Sequence, residues 1–256
     1  MGEFYKKGIK IFKEILQKNI QEVSMGFTNI SYFNQQGLFS SECKDAVFYI
    51  DDGSTAVYSL ADGLNSKQLS KAGAKAIQEE ISSFFLQEPF FIFNAPIDWV
   101  KMAVAEKIRD TILLLTEGSI SEEEFASTLL VVVISKSYNK CLWFHIGDGV
   151  ILKQADTAEA SIDILSQAHN GVTSQYTYTT VHQPLRKYLH CGLEELNDIK
   201  RLILATDGAI LPYYSHRKIS EKGQQLFQKG LYAVYEDLQL NYPKDDYSML
   251  EVSITD

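Results

Sequence analysis

The chain has 256 residues, 45% hydrophobic and 22% charged, so it can bury a core and is neither disordered nor collagen-like. A formal net charge of -9 argues against a nucleic-acid partner, and no run of about 18 apolar residues offers a membrane span. The three cysteines, Cys43, Cys141 and Cys191, form no CxxC pair and give no sign of a zinc knuckle or disulfide framework.

Residues 3–19 place Ile9, Phe12, Ile15 and Leu16 on one face of an expected amphipathic helix, mixed with lysines and glutamates. The segment lacks the continuous apolar stretch and cleavage site of a signal peptide, so the cytoplasm is the expected location. Strands are predicted over Ala46–Ile50 and Thr55–Leu60, joined at Asp52-Gly53 by a hairpin turn. Two helical stretches follow, about 68–86 and 98–117, separated by an aromatic loop from Pro89 to Pro96. The valine-rich Leu129–Ile134 reads as a fully buried strand, leading through tight turns to Cys141–Ile146 and Val150–Lys153 as a three-stranded meander. The Tyr/Thr alternation of Tyr176–Val181 predicts another strand, as do Arg201–Ala205 and Tyr247–Ile254, with residues 216–238 mainly helical. Helices inserted between groups of hairpin-linked strands argue for one α+β domain over residues 1–256, its antiparallel sheets carrying helices on their outer faces.

The placement of aspartate carries the chemistry. Four Asp-Gly pairs occur, at Asp52, Asp62, Asp148 and Asp207, and the first reads as a plain turn. Asp62 and Asp207 each end an apolar strand and precede an irregular or helical stretch, not a returning hairpin strand. A strand end is a rigid mount, and the glycine after it lets a ligand approach the backbone closely. Carboxylates held near one another repel unless a positive group lies between them, and a hard cation such as magnesium or manganese suits oxygen ligands. Asp245 and Asp246, before the last strand, and Asp45, before Ala46, offer further mounts.

These motifs, in this order, resemble the PPM (protein phosphatase 2C-like) family, and in particular a bacterial subgroup of it. The resemblance rests on Cys43-Lys-Asp45-Ala46, Ser59-Leu-Ala-Asp62-Gly63-Leu-Asn-Ser66 and Ala126-Ser-Thr128. It continues through His145-Ile-Gly-Asp148-Gly149, Leu204-Ala-Thr206-Asp207-Gly208 and Asp245-Asp-Tyr-Ser248, and covers about residues 26–254. It implies a four-layer α/β/β/α sandwich and a metal-dependent phosphatase acting on phosphoserine or phosphothreonine of proteins, opposing a Ser/Thr kinase in signalling. It further implies two Mn²⁺ or Mg²⁺ ions, with a third possible, and attack by a metal-bridging water. On this resemblance Asp62 bridges the cations, Gly63 adds its carbonyl, Asp207 and Asp245 ligate one ion, Asp45 binds a metal-coordinated water or completes the second site, and Asp148 helps hold the third. Asp62, Asp207 and Asp45 are the expected catalytic residues.

The chain departs from the family pattern in three places. Leu64-Asn65-Ser66 lacks the later glycines of the Asp-Gly motif, Leu64 stands where some members carry a histidine, and Phe39–Cys43 contains no phosphate-binding arginine. The altered loop motivates an alternative, a non-catalytic binding module of the same fold; a phosphohydrolase for nucleotides or small metabolites is a third reading. His145 is expected to be a packed or hydrogen-bonded histidine, and His169, His182, His190 and His216 show no metal-ligand spacing.

Overall fold

The computed structural model describes residues 19–155, 161–169, 177–242 and 244–255. The helix expected over residues 3–19 falls almost wholly outside them.

Strands β1 (Gln21–Met25) and β2 (Thr28–Gln35) form a hairpin, followed by β3 (Ala46–Asp51) and β4 (Thr55–Ala61). Three helices come next: α1 (Ser70–Gln87), α2 (Pro89–Asn94) and α3 (Ile97–Thr116). β5 (Leu129–Ser135), β6 (Lys140–Ile146), β7 (Val150–Ala155) and β8 (Ile162–Ser166) then run to the one-turn helix α4 (Leu185–Tyr188). β9 (His190–Glu195) and β10 (Ile199–Ala205) lead into the short α5 (Asp207–Ile210). The small hairpin β11 (Tyr214–Ser215) and β12 (Lys218–Ile219), the helices α6 (Glu221–Lys229) and α7 (Leu231–Asn241), and β13 (Tyr247–Ile254) complete the chain.

The strands form a five-stranded sheet, β3-β4-β5-β6-β9, and a six-stranded sheet, β1-β2-β13-β10-β7-β8, with antiparallel pairing throughout. Each sheet packs one face on the other through Tyr58, Leu130, Val132, Leu202, Leu204 and Leu250. The outer face of the five-stranded sheet buries Val131, Val133 and Phe144 against α1 and α3, which contribute Ile77, Ile81, Phe85, Val104 and Ile108 at helical spacing. On the far side α6 and α7 bring Phe227, Val234 and Leu238 against Leu152, Ile203 and Met249. The result is the expected α/β/β/α order. β5 is buried along all seven residues because both its faces are covered, which explains its unbroken apolar run.

Four local expectations need correction. The stretch Pro89 to Pro96 is largely helical, since Pro89 occupies the first helical turn, where its missing N–H has no cost. No strand forms over the described residues of Tyr176–Val181; Thr180 instead donates its N–H to the Ser127 carbonyl at 2.9 Å. The segment 216–238 opens with half of the β11–β12 hairpin before becoming helical. The predicted meander also breaks: β5 and β6 pair in one sheet, but β7 pairs with β10 and β8 in the other. Gly147, at φ 113, makes that passage between the sheets.

Candidate metal centre

Both sheets end their strands at the same rim, and the aspartates stand there. Asp45 enters β3 and Asp62 leaves β4 in one sheet; Asp207 leaves β10 and Asp245 precedes β13 in the other. Asp148 lies in the turn that crosses between them.

Asp45 forms the floor and is wholly buried. Its Oδ2 accepts a 3.2 Å hydrogen bond from Thr206 Oγ1, whereas its Oδ1 has no partner. Thr206 is fixed in turn by Ser248, whose N–H donates to Thr206 Oγ1 at 3.0 Å. Asp62 is held through its backbone: its N–H donates to Thr128 Oγ1 at 2.9 Å, and the Thr128 N–H donates to the Asp62 carbonyl at 2.8 Å. The carboxylate is thereby left for the cleft. Asp148 Oδ2 accepts from Thr177 Oγ1, and Asp207 Oδ1 accepts from the Gly208 N–H at 2.7 Å.

The two adjacent carboxylates at the start of β13 differ in kind. Asp246, 4% exposed, spends both oxygens on backbone N–H groups, Gly37 at 2.8 Å and Lys44 at 3.0 Å. Asp245 is exposed and accepts only the Asp246 N–H, at 2.9 Å. Asp246 therefore ties the segments before β3 and β13 together, and Asp245 remains available at the rim. Gly208 permits this closeness, since a Cβ there would stand 2.0 Å from the Asp246 carbonyl oxygen.

The electrostatics mark one cluster. Burial, then the charges of Asp45 and Asp207, push the Asp62 carboxyl well above its ordinary 3.8. Burial first, with Asp148 and Asp245 next, raises Asp207 to about 7. Burial also raises Asp45 to about 6, with Asp246 adding to the rise, and it raises Asp148, with Asp245 contributing. Among the described residues no three His, Cys, Asp or Glu side chains stand close enough to enclose an ion as they are; the carboxylates face one another around an open bowl. An all-oxygen donor set with an orphaned buried oxygen at its base fits a hard divalent cation that keeps several of its waters.

The loop after Gly63, without its glycines, is held differently. Lys44, 7% exposed, donates its ammonium to the carbonyls of Asn65, at 3.1 Å, and Lys67. Lys44, Asn65, Lys244 and Asp245 share a cavity of about 390 Å³ beside the bowl. The holding roles of Lys44, Thr177 and Asp246 were not visible in the sequence; the hydroxyls of Thr206 and Thr128 were present in the motifs but gave no sign of what they would grip. Cys43 packs its thiol on Asn34 Oδ1 at 2.6 Å, and burial, followed by the charges of Asp45 and Asp246, pushes it up to about 12, far from a nucleophile's range.

A sequence profile described as protein phosphatase 2C matches residues 39–235. Among solved structures the fold is similar to the serine/threonine phosphatase Stp1 from Staphylococcus aureus, with 14% identity over 89% of this chain and 95% of that one and a TM-score of 0.67. It is similar also to RsbX in complex with magnesium, at 14% identity over 92% and 100% of the two chains, TM-score 0.60. The catalytic domain of the serine/threonine phosphatase PstP, in complex with 2 manganese ions, aligns at 13% identity over 90% and 99%, TM-score 0.64. No curated protein sequence matches the chain.

Proposed function

The chain belongs to the protein phosphatase 2C family, and from that premise we propose that it hydrolyses phosphoserine and phosphothreonine on proteins with two divalent cations, Mn²⁺ or Mg²⁺, at the aspartate bowl. The observation that carries this reading is that Asp45, Asp62 and Asp207 stand at strand ends of the two sheets, beside an unpartnered buried oxygen of Asp45, where burial raises all three carboxyls. Asp62 and Asp45 are assigned to the shared floor of the site, Asp207 and Asp245 to the six-stranded-sheet side, and Asp148 to a third, weaker position. When bound, the cations supply the Lewis acidity that lowers the pKa of an attacking water and offsets charge on the phosphoryl oxygens. The protein's own part is positioning: Thr206 orients Asp45, Thr128 fixes the strand end of Asp62, and Asp246 keeps Asp245 at the rim. Lys244, which lines the cavity next to Asp245, is assigned the phosphoryl contact that the segment Phe39–Cys43, without an arginine, lacks. Because both sheets supply carboxylates, the reading treats the chain as one catalytic domain.

The test is turnover of an aryl phosphate and of a phosphoserine peptide with and without manganese. We expect turnover to require the metal and to fall roughly 100-fold or more in Asp62→Asn and Asp207→Asn, as losing several kcal/mol of charge stabilisation demands. Absence of turnover at saturating manganese, with both variants indistinguishable from the parent, would leave the non-catalytic reading.

A further inference from the structure

Three of the five histidines, scattered along the sequence, assemble at the far end of the same strand-end rim. Leu60, Leu130, His145 and His190 form one cross-strand row of the five-stranded sheet, each directly opposite the next. His190 thus lies three strands from the strand that ends in Asp62, or ~14 Å at the usual spacing. His169, just beyond β8, stacks face to face on His190, with ring centroids 3.5 Å apart and planes within 3°. His145 backs the pair, meeting His169 at 5.3 Å; its Nδ1 is 2.8 Å from Ser166 Oγ, and its buried Nε2 has no partner.

A cavity of about 390 Å³ opens onto His169, His190, Ser166 and Arg217, and no acidic residue lines it, although the whole chain is acidic. Arg217 is exposed on the turn of the β11–β12 hairpin, at φ 60, and no carboxylate pairs with it among the described residues. Lys101 adds positive charge on the His190 side, with Asp98 acting on the neighbouring Cys191. A metal does not suit the pair. Imidazole lone pairs lie in the ring plane, so those of parallel stacked rings run side by side and do not converge on one ion. Guanidinium, imidazole N–H and hydroxyl donors in a cavity whose lining carries no carboxylate suit an oxyanion.

We propose that His169, His190 and Arg217 form a second, non-catalytic phosphate-binding subsite. Its ligand is a phosphoryl oxyanion, either free phosphate or a second phosphoryl group on the protein being dephosphorylated. The latter source rests on the phosphatase reading above. In an extended peptide at ~3.3 Å per residue, that group would lie about four residues from the one hydrolysed.

Two measurements on the full-length, magnesium-loaded chain test this. In the first, histidine ring NMR signals are followed while inorganic phosphate is added. We expect the His169 and His190 signals to shift saturably, and the shift to be lost in Arg217→Ala, whose exposed hairpin position spares the fold. Signals that do not move, or that move equally in Arg217→Ala, overturn the proposal, and this result is independent of whether the chain hydrolyses anything. The second compares peptides carrying one phosphoserine or two spaced four residues apart. If substrate is the source, kcat/KM rises about tenfold for the doubly phosphorylated peptide, as one added charge-assisted hydrogen bond allows, and Arg217→Ala abolishes the gain without changing aryl phosphate turnover. Phosphate-dependent shifts with no such gain assign the subsite to the free ion.

Discussion

Asp245 and Asp246 are neighbours of the same type, yet their surroundings give them opposite uses. Asp246 is consumed by two backbone N–H groups, and removing it leaves both buried and unpaired. Asp246→Ala is expected to cost about 2–4 kcal/mol of stability, read by urea denaturation, because each orphaned donor costs about 1–3 kcal/mol. Asp245→Ala should change stability by less than about 0.5 kcal/mol, as exposed sites do, while weakening manganese binding in calorimetry. Lys44 belongs with Asp246 as a residue that holds other residues. Lys44→Met removes the donor to two carbonyls and should destabilise the chain by about 1–3 kcal/mol, with Lys44→Arg a partial rescue. At this scale the sequence displays which carboxylates exist and which of them end strands. It cannot display which oxygen is already spent, because the partners of Asp246 lie 209 and 202 residues away in the chain.

Elements with strong periodicity were readable in the sequence. The hairpin of β3 and β4, the run of β5 and the spacing of α1 and α3 are each dictated by which faces are covered. Those with mixed burial were not: β8 and β9, each at a sheet edge, are short and give no clear apolar-polar alternation. Nor does a local signal distinguish a turn that returns within one sheet from the Gly147–Gly149 turn, which passes to the other; the difference lies in the partners of β7. That passage sets Asp148 between the two sheets. The joint is close-packed elsewhere too. Gly208→Ala would drive a methyl group to 2.0 Å from the Asp246 carbonyl, so a loss of at least about 2 kcal/mol is expected from overpacking. Thermal unfolding of that variant, with manganese titration to follow the displacement of Asp207, checks it.

For the molecule as a whole, the clustered carboxylates impose a pH dependence. Asp45 and Asp207 titrate near 6 and 7 in the fold against 3.8 ordinarily, so the folded chain holds protons that the unfolded chain has released. Protonation therefore stabilises the metal-free protein, fully below about pH 4, and this is lost as the pH rises through about 6 and 7. The Tm of chelator-treated protein should fall between about pH 5 and 8, and saturating magnesium should abolish or reverse the trend; a Tm that rises over that range without metal would contradict the cluster. The shape of the molecule gives this a mechanical sense. Two of the acidic groups come from one sheet, two from the other and one from the link between them, so their repulsion acts as a wedge driven into the seam. On the proposed reading, a cation seated there would act as a rivet: it could be set only after the two halves have come into register, and losing it would loosen the join along which they meet.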